Sequence, residues 1–96
     1  MNVLFHPDAE LELNAAIDYY EAIENGLGYD FSLEIISAIG RVIDFPEAWL
    51  VIEGDIRRAL VKRFPYGILY AEDQGLIYII AVMHLHRAPE YWKHRI

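Results

Sequence analysis

Apolar positions recur every three or four residues along the first half of the chain, then alternate or run together along the second. That change of period divides helices from strands. NVLFH, residues 2–6, predicts a short strand, and His6-Pro7-Asp8 has the composition of a helix start, where proline's missing N–H is no loss. Through DAELELNAAIDYYEAIE, Ala9, Leu13, Ala16, Ile17, Tyr20 and Ile23 form one stripe. Glu10, Asp18, Glu21 and Glu24 occupy other faces, as on a surface helix with one buried side. Asn25-Gly26 stops this helix. After Gly28, YDFSLEIISAIGRVIDF repeats the period at Phe31, Ile35, Ala38, Ile39 and Val42, until Phe45-Pro46 ends it. Two helices joined by so few residues predict an antiparallel hairpin, and Gly40 inside the second predicts a close helix crossing there.

PEAWLVIEGD reads as an irregular connection or a short edge strand. IRRALVKRF, residues 56–64, predicts a strand that Pro65-Tyr66-Gly67 interrupts. ILYAE resumes it, Asp73-Gln74-Gly75 turns the chain, and LIYIIAVMH forms a last strand that is apolar on both faces. The order is β-αα-βββ, an α/β (α+β) arrangement in which the helical hairpin covers one face of a small antiparallel sheet. No remaining stretch is long enough to cover the other face fully, so an open apolar sheet face is expected.

Size and composition narrow this picture. The chain has 96 residues, enough for one domain over 1–96, and is 55% hydrophobic, well outside disordered composition. It has no cysteine, which excludes disulfides, zinc-thiolate sites and a cysteine nucleophile. No apolar run approaches the roughly 20 residues that a bilayer requires, and no basic leader precedes the first strand. The expectation is a cytoplasmic chain without membrane contact.

Charge changes the picture more. The formal net charge is −7, yet residues 1–55 carry −11 and residues 56–96 carry +4. A chain divided in this way can present one positive face. Candidate cations are Arg57, Arg58, Lys62 and Arg63. Period two places Arg57 and Arg63 with Ala59 and Val61 on one strand face, and Arg58 and Lys62 with Leu60 on the other. Solvated edge protection and an acidic or nucleic-acid partner are both open readings. His84 and His86 share a face, but without a third ligand they do not make a metal site, and no cofactor is implied. As proton-exchanging groups they remain available for acid–base work. Arg87 and Tyr91, four apart, could hold a phosphate and move a proton; the plainer reading packs Tyr91 and Trp92 against the sheet edge. The acidic helix residues are taken as solubilising, since no spacing singles out two of them.

Several stretches together resemble the toxins of the ParE/RelE superfamily of toxin–antitoxin pairs: FHPDAELELNAAIDYYE, GLGYDF, RRALVKRFPYGILY and IIAVMHLHRAPEYWKHR. The resemblance implies two helices on a curved antiparallel sheet. It also implies an antitoxin that wraps the toxin and whose other end binds operator DNA, so that contact with operator DNA is indirect. RelE-like members cut messenger RNA on the ribosome without metal, whereas ParE-like members inhibit DNA gyrase. Tyr91 stands where RelE-like proteins place a catalytic tyrosine and Arg87 where they place one of two arginines; Leu85 replaces the other. Lys62 and Arg63 are inexact counterparts of their middle-strand cations. HRAPEYW and the acidic net charge are closer to the ParE-like branch. The resemblance therefore implies a gyrase inhibitor with a partner surface of Arg57, Arg58, Lys62, Arg63, Arg87, Tyr91 and Trp92. The alternative is a nuclease using Arg87, Tyr91, Lys62, Arg63, His84 and His86, and a further one is a non-toxic binding module of the same fold.

Overall fold

The structure, a computed structural model, describes residues 2–96. Its elements are β1 (Asn2–Phe5), α1 (Pro7–Ile23), α2 (Leu27–Asp44), β2 (Leu50–Glu53), β3 (Ile56–Leu60), β4 (Tyr66–Asp73) and β5 (Leu76–His84), followed by a 3-10 turn at Lys93–Arg95. The five strands lie in the order β1-β5-β4-β3-β2. β1 runs parallel to β5, and every other pairing is antiparallel.

Local chemistry explains the helix ends. His6 caps α1: its Nδ1 accepts from the Asp8 N–H at 3.0 Å, with Pro7 in the first turn. The Glu21 carboxylate, on the last turns of α1, accepts from the Gly26 N–H at 2.9 Å and the Gly28 N–H at 3.0 Å. It thereby satisfies donors at the start of α2 that the helix itself leaves unpaired. Gly28, rather than Gly40, is where the helices cross closely. A Cβ at Gly28 would lie 2.5 Å from the Ile17 carbonyl oxygen, whereas one at Gly40 would meet nothing within 4 Å.

The stripe on α2 is buried as its spacing predicts, at Phe31, Ile35, Ala38 and Val42. On α1, Ala9 and Ala16 are buried and Leu13, Ile17 and Tyr20 pack against them, but Ile23 is exposed because the helix runs past the end of the core. Tyr20, Phe31, Phe64 and Tyr66 form an aromatic cluster with ring centroids 4.9–6.2 Å apart. Tyr70 is buried and donates its hydroxyl proton to the Pro46 carbonyl at 2.6 Å, tying the α2–β2 connection to the sheet.

β5 is apolar on both sides because both sides are covered. Leu69 pairs with Ala81 and Tyr70 with Ile79, so Ile80 is an extra residue that shifts the alternation by one. Ile77, Ile79 and Val82 join the helix-side core, while Ile80, Ala81 and Met83 join a second cluster with Ile56 and Leu69. Trp92, 2% exposed, completes that second cluster. The expected open sheet face is thus corrected: the C-terminal segment folds back and drops its indole onto it, with Nε1 donating to the Pro89 carbonyl at 2.8 Å.

The strand predicted over 56–64 also ends early, at Leu60. Arg57, Ala59 and Val61 do share the helix side, but Arg63 lies beyond the strand with φ +71° and leaves that face. Tyr66 and Gly67, expected to interrupt the sheet, are the first residues of β4.

Candidate functional site

Three cations, Lys62, Arg63 and Arg87, come together at one end of the sheet because two chain segments meet there. The connection from β3 to β4 and the exit from β5 are joined by Tyr66 pairing with His84 and by the Leu85 N–H donating to the Pro65 carbonyl at 2.8 Å. Lys62 and Arg63 therefore sit on a loop beside His84, the last residue of β5, and beside His86 and Arg87 just after it. Lys62 is exposed, and among the described residues it has no ion pair. Arg63 lies 3.6 Å from Asp30, a half-exposed pair of little energetic consequence. The His84 ring meets the edges of Tyr66 and His86, with centroids 5.2 and 5.0 Å away, and its Nδ1 accepts from the His86 N–H at 3.1 Å. Arg87 stacks over the Tyr91 ring at 4.1 Å.

A cleft of about 210 Å³ runs beside this end, walled by Ala15, Tyr19, Tyr66, His84 and Arg87. A second of about 200 Å³ lies on the face away from the helices, where Arg58 reaches toward Trp92 and Lys93. Gly67 makes room for the Arg58 stem: a Cβ there would be 3.1 Å from Arg58 Cγ. Lys93 bridges Glu53 at 2.8 Å and Glu90 at 3.4 Å, closing the rim of that cleft.

Three of the residues expected on a partner surface have structural duties instead. Arg57 Nη1 donates to the carbonyls of Glu47 at 3.0 Å and Trp49 at 2.7 Å, pinning the loop before β2. Trp92 is core. Tyr91 is half-buried, and its hydroxyl donates to Glu12 Oε2 at 2.6 Å. Arg58, Lys62, Arg63 and Arg87 remain accessible, Arg58 on the far face and the other three at the sheet end.

Glu12 is the residue the sequence reading passed over, together with Arg95. Its carboxylate accepts from Tyr91, from Arg95 Nη1 at 2.8 Å and Nη2 at 3.1 Å, and from the Val82 N–H at 3.1 Å. Arg95 Nη1 also donates to the Ile80 carbonyl at 3.1 Å. β1 covers the edge of β5 only as far as Ile79, and this ion pair takes up backbone groups on the stretch beyond it. The one sequence signal was position: Glu12 stands beside Leu13 and four residues before Ala16, at the margin of the buried stripe.

Burial, the hydrogen bond to Glu12 and the Glu12 charge all push the Tyr91 phenol well above its ordinary value; Arg95 and Arg87 oppose this only in part. The phenol keeps its proton in a hydrogen bond donated to the Glu12 carboxylate, so it is placed as a donor and not as a base. Burial likewise raises Tyr20, Tyr66 and Tyr70. The folded chain holds these protons more tightly than the unfolded chain does. The stabilisation they carry is therefore complete below about pH 10 and lost as pH climbs through the folded values. Urea unfolding is expected to show level stability up to about pH 10 and a decline above it, shallower in Tyr91→Phe. A Tyr91 phenolate that forms at the ordinary tyrosine value would refute the buried hydrogen bond.

Among the described residues no group of three His, Asp or Glu is arranged to hold a metal ion, and no helix is long and apolar enough to cross a membrane.

Comparison with curated proteins yields no match. Among solved structures the chain is similar to one described as the chromosomal ParDE TA system from P. aeruginosa, at 16% identity and a TM-score of 0.63, covering 90% of this chain and 97% of that one. That likeness shows a shared fold. The family model for the ParE toxin of the type II toxin–antitoxin system parDE matches residues 3–89, from β1 to the turn that leads into Tyr91 and Trp92. With that match over most of its length, the chain belongs to the ParE toxin family of type II toxin–antitoxin systems.

Proposed function

We propose that this toxin acts in the cytoplasm by protein–protein contact on DNA gyrase, and that a cognate antitoxin holds it inactive. The observation that carries the reading is the state of Tyr91. A RelE-type nuclease needs a phenol free to exchange protons and a pair of arginines at the phosphate. Here the phenol is tied to Glu12, and Leu85 stands in place of one arginine. What remains accessible at the sheet end is a set of cations, Lys62, Arg63 and Arg87, beside the Tyr19 and Tyr66 rings. Charge of one sign speeds encounter with an acidic surface, and arginine and aromatic anchors supply much of the binding energy at an interface.

Expression without the antitoxin is expected to stop growth and to abolish gyrase supercoiling while translated messages stay whole. Lys62→Glu with Arg63→Glu, both exposed and away from the core, is expected to weaken gyrase inhibition by roughly 10-fold or more, with circular dichroism unchanged. Messages cut within codons beside normal supercoiling would reject the gyrase reading in favour of ribosome-dependent cleavage. Unimpaired growth would leave a binding module of the same fold.

A further inference from the structure

The cleft on the face away from the helices contains a charge that the rest of the fold leaves uncompensated. Arg58 pairs with Leu50 on β2 and Leu69 on β4, and Leu69 pairs with Ala81 on β5. Residues directly opposite one another share a face, so the arginine interrupts an apolar row whose inner members, Leu69 and Ala81, are fully buried. A side chain so placed is normally held by a carboxylate or by carbonyls, as its neighbour Arg57 is. Arg58 has neither. Among the described residues it makes no ion pair and no hydrogen bond, although it is half-buried, and none of its nitrogens is sealed from solvent. Its guanidinium is a set of unused donors lining the cleft.

The position is built. A Cβ at Gly67 would lie 3.1 Å from Arg58 Cγ and 3.2 Å from its Cδ, so the missing side chain lets the arginine stem lie against β4. The surroundings then select what the guanidinium can take. Ile52, Met83 and Trp92 supply an apolar wall, and about 200 Å³ accommodates a short hydrocarbon chain or a single ring. Glu53 and Glu90 stand at the rim, bridged by Lys93 at 2.8 and 3.4 Å. Two cations and two carboxylates leave the lining neutral. A polyanion would meet both rim carboxylates, whereas one carboxylate with an apolar body can pair with Arg58 and lie along the wall. The bridge across the rim also leaves no passage for an extended chain.

The geometry points to a binding site for a small monocarboxylate with an apolar body, a short fatty acid or an aromatic acid, its carboxylate held by Arg58 and its hydrocarbon by Ile52, Met83 and Trp92. The site is separate from the cations at the sheet end. Its readout is binding, so it stands or falls apart from the gyrase reading.

The test titrates the full chain with octanoate, octylammonium, octyl phosphate and a short single-stranded RNA, followed by NMR. Octanoate is expected to saturate one site per chain, to shift the Trp92 indole N–H and the Arg58 Nε–H, and to weaken as salt rises. Octylammonium, with the same tail, should bind at least about 10-fold more weakly. Arg58→Met keeps an unbranched stem against Gly67 and should weaken octanoate by at least about 10-fold, with circular dichroism unchanged. Lys93→Met should weaken it as well, because both rim carboxylates are then uncompensated. Absence of saturation, equal binding of octylammonium, or an Arg58→Met variant that binds octanoate as the parent does would overturn the proposal. Tighter binding of octyl phosphate or RNA through Arg58 would overturn it too, since the site would then read phosphate.

Discussion

Glu12→Ala is expected to lower the unfolding free energy by about 3–5 kcal/mol, the range for removing one partner of a buried ion pair. Arg95 is 6% exposed and Glu12 13%, so the guanidinium left behind keeps, as its only carboxylate contact, the longer one with Asp8, 3.7 Å from its Nε, in place of two hydrogen bonds to Glu12. Tyr91 loses its acceptor and the Val82 N–H its partner in the same change, each an orphaned polar group in a half-buried site. For a domain whose total stability is of order 5–15 kcal/mol, that loss approaches unfolding at growth temperature. Replacing both charges with leucine removes the buried cation as well and should recover much of the loss. Urea unfolding of the single and paired variants measures both effects. A single variant within about 1 kcal/mol of the parent would mean that the Glu12–Arg95 pair does not form in solution.

Trp92→Ala should be comparably severe, about 3–5 kcal/mol, by a different route. The indole is the largest member of the cluster with Ile56, Leu69, Ile80, Ala81 and Met83, and little else covers that sheet face. Its removal leaves a cavity open to solvent on one side and frees the segment that carries Tyr91 and Arg95. The variant is expected to bind a hydrophobic dye at the sheet face and to unfold at lower urea, while Trp92→Phe loses less. An unchanged midpoint for Trp92→Ala would show that the C-terminal segment is not docked. Glu12→Ala and Trp92→Ala act on the same segment, so their effects should fall short of additive, which a double-mutant cycle would show.

Both expectations concern residues whose partners are far away in sequence, and that separation marks where the sequence stops being readable. The helices were legible because each turn places its own apolar residues on one side: Phe31, Ile35, Ala38 and Val42 need no distant information to share a face. The turn at Asp73-Gln74-Gly75 was legible for the same reason, with Gln74 and Gly75 at φ +50° and +82° as a tight hairpin requires. The face assignment of Arg63 failed because period two holds only while a strand continues. β3 stops at Leu60, and alternation then says nothing about where a side chain points. Glu12 was unreadable because a carboxylate on a helix margin looks the same whether it meets water or an arginine 83 residues later.

By itself, then, the chain's pattern determined the order of elements, the hairpin of helices and the division of charge, all of which follow from interactions within a few residues. Only the tertiary structure decided that the C-terminal segment folds back over the second sheet face, that Tyr91 answers to Glu12, and which cations stay exposed at the sheet end. The physical reason is that burial and ion pairing depend on which surfaces are brought together, and a periodic pattern records only that a surface exists.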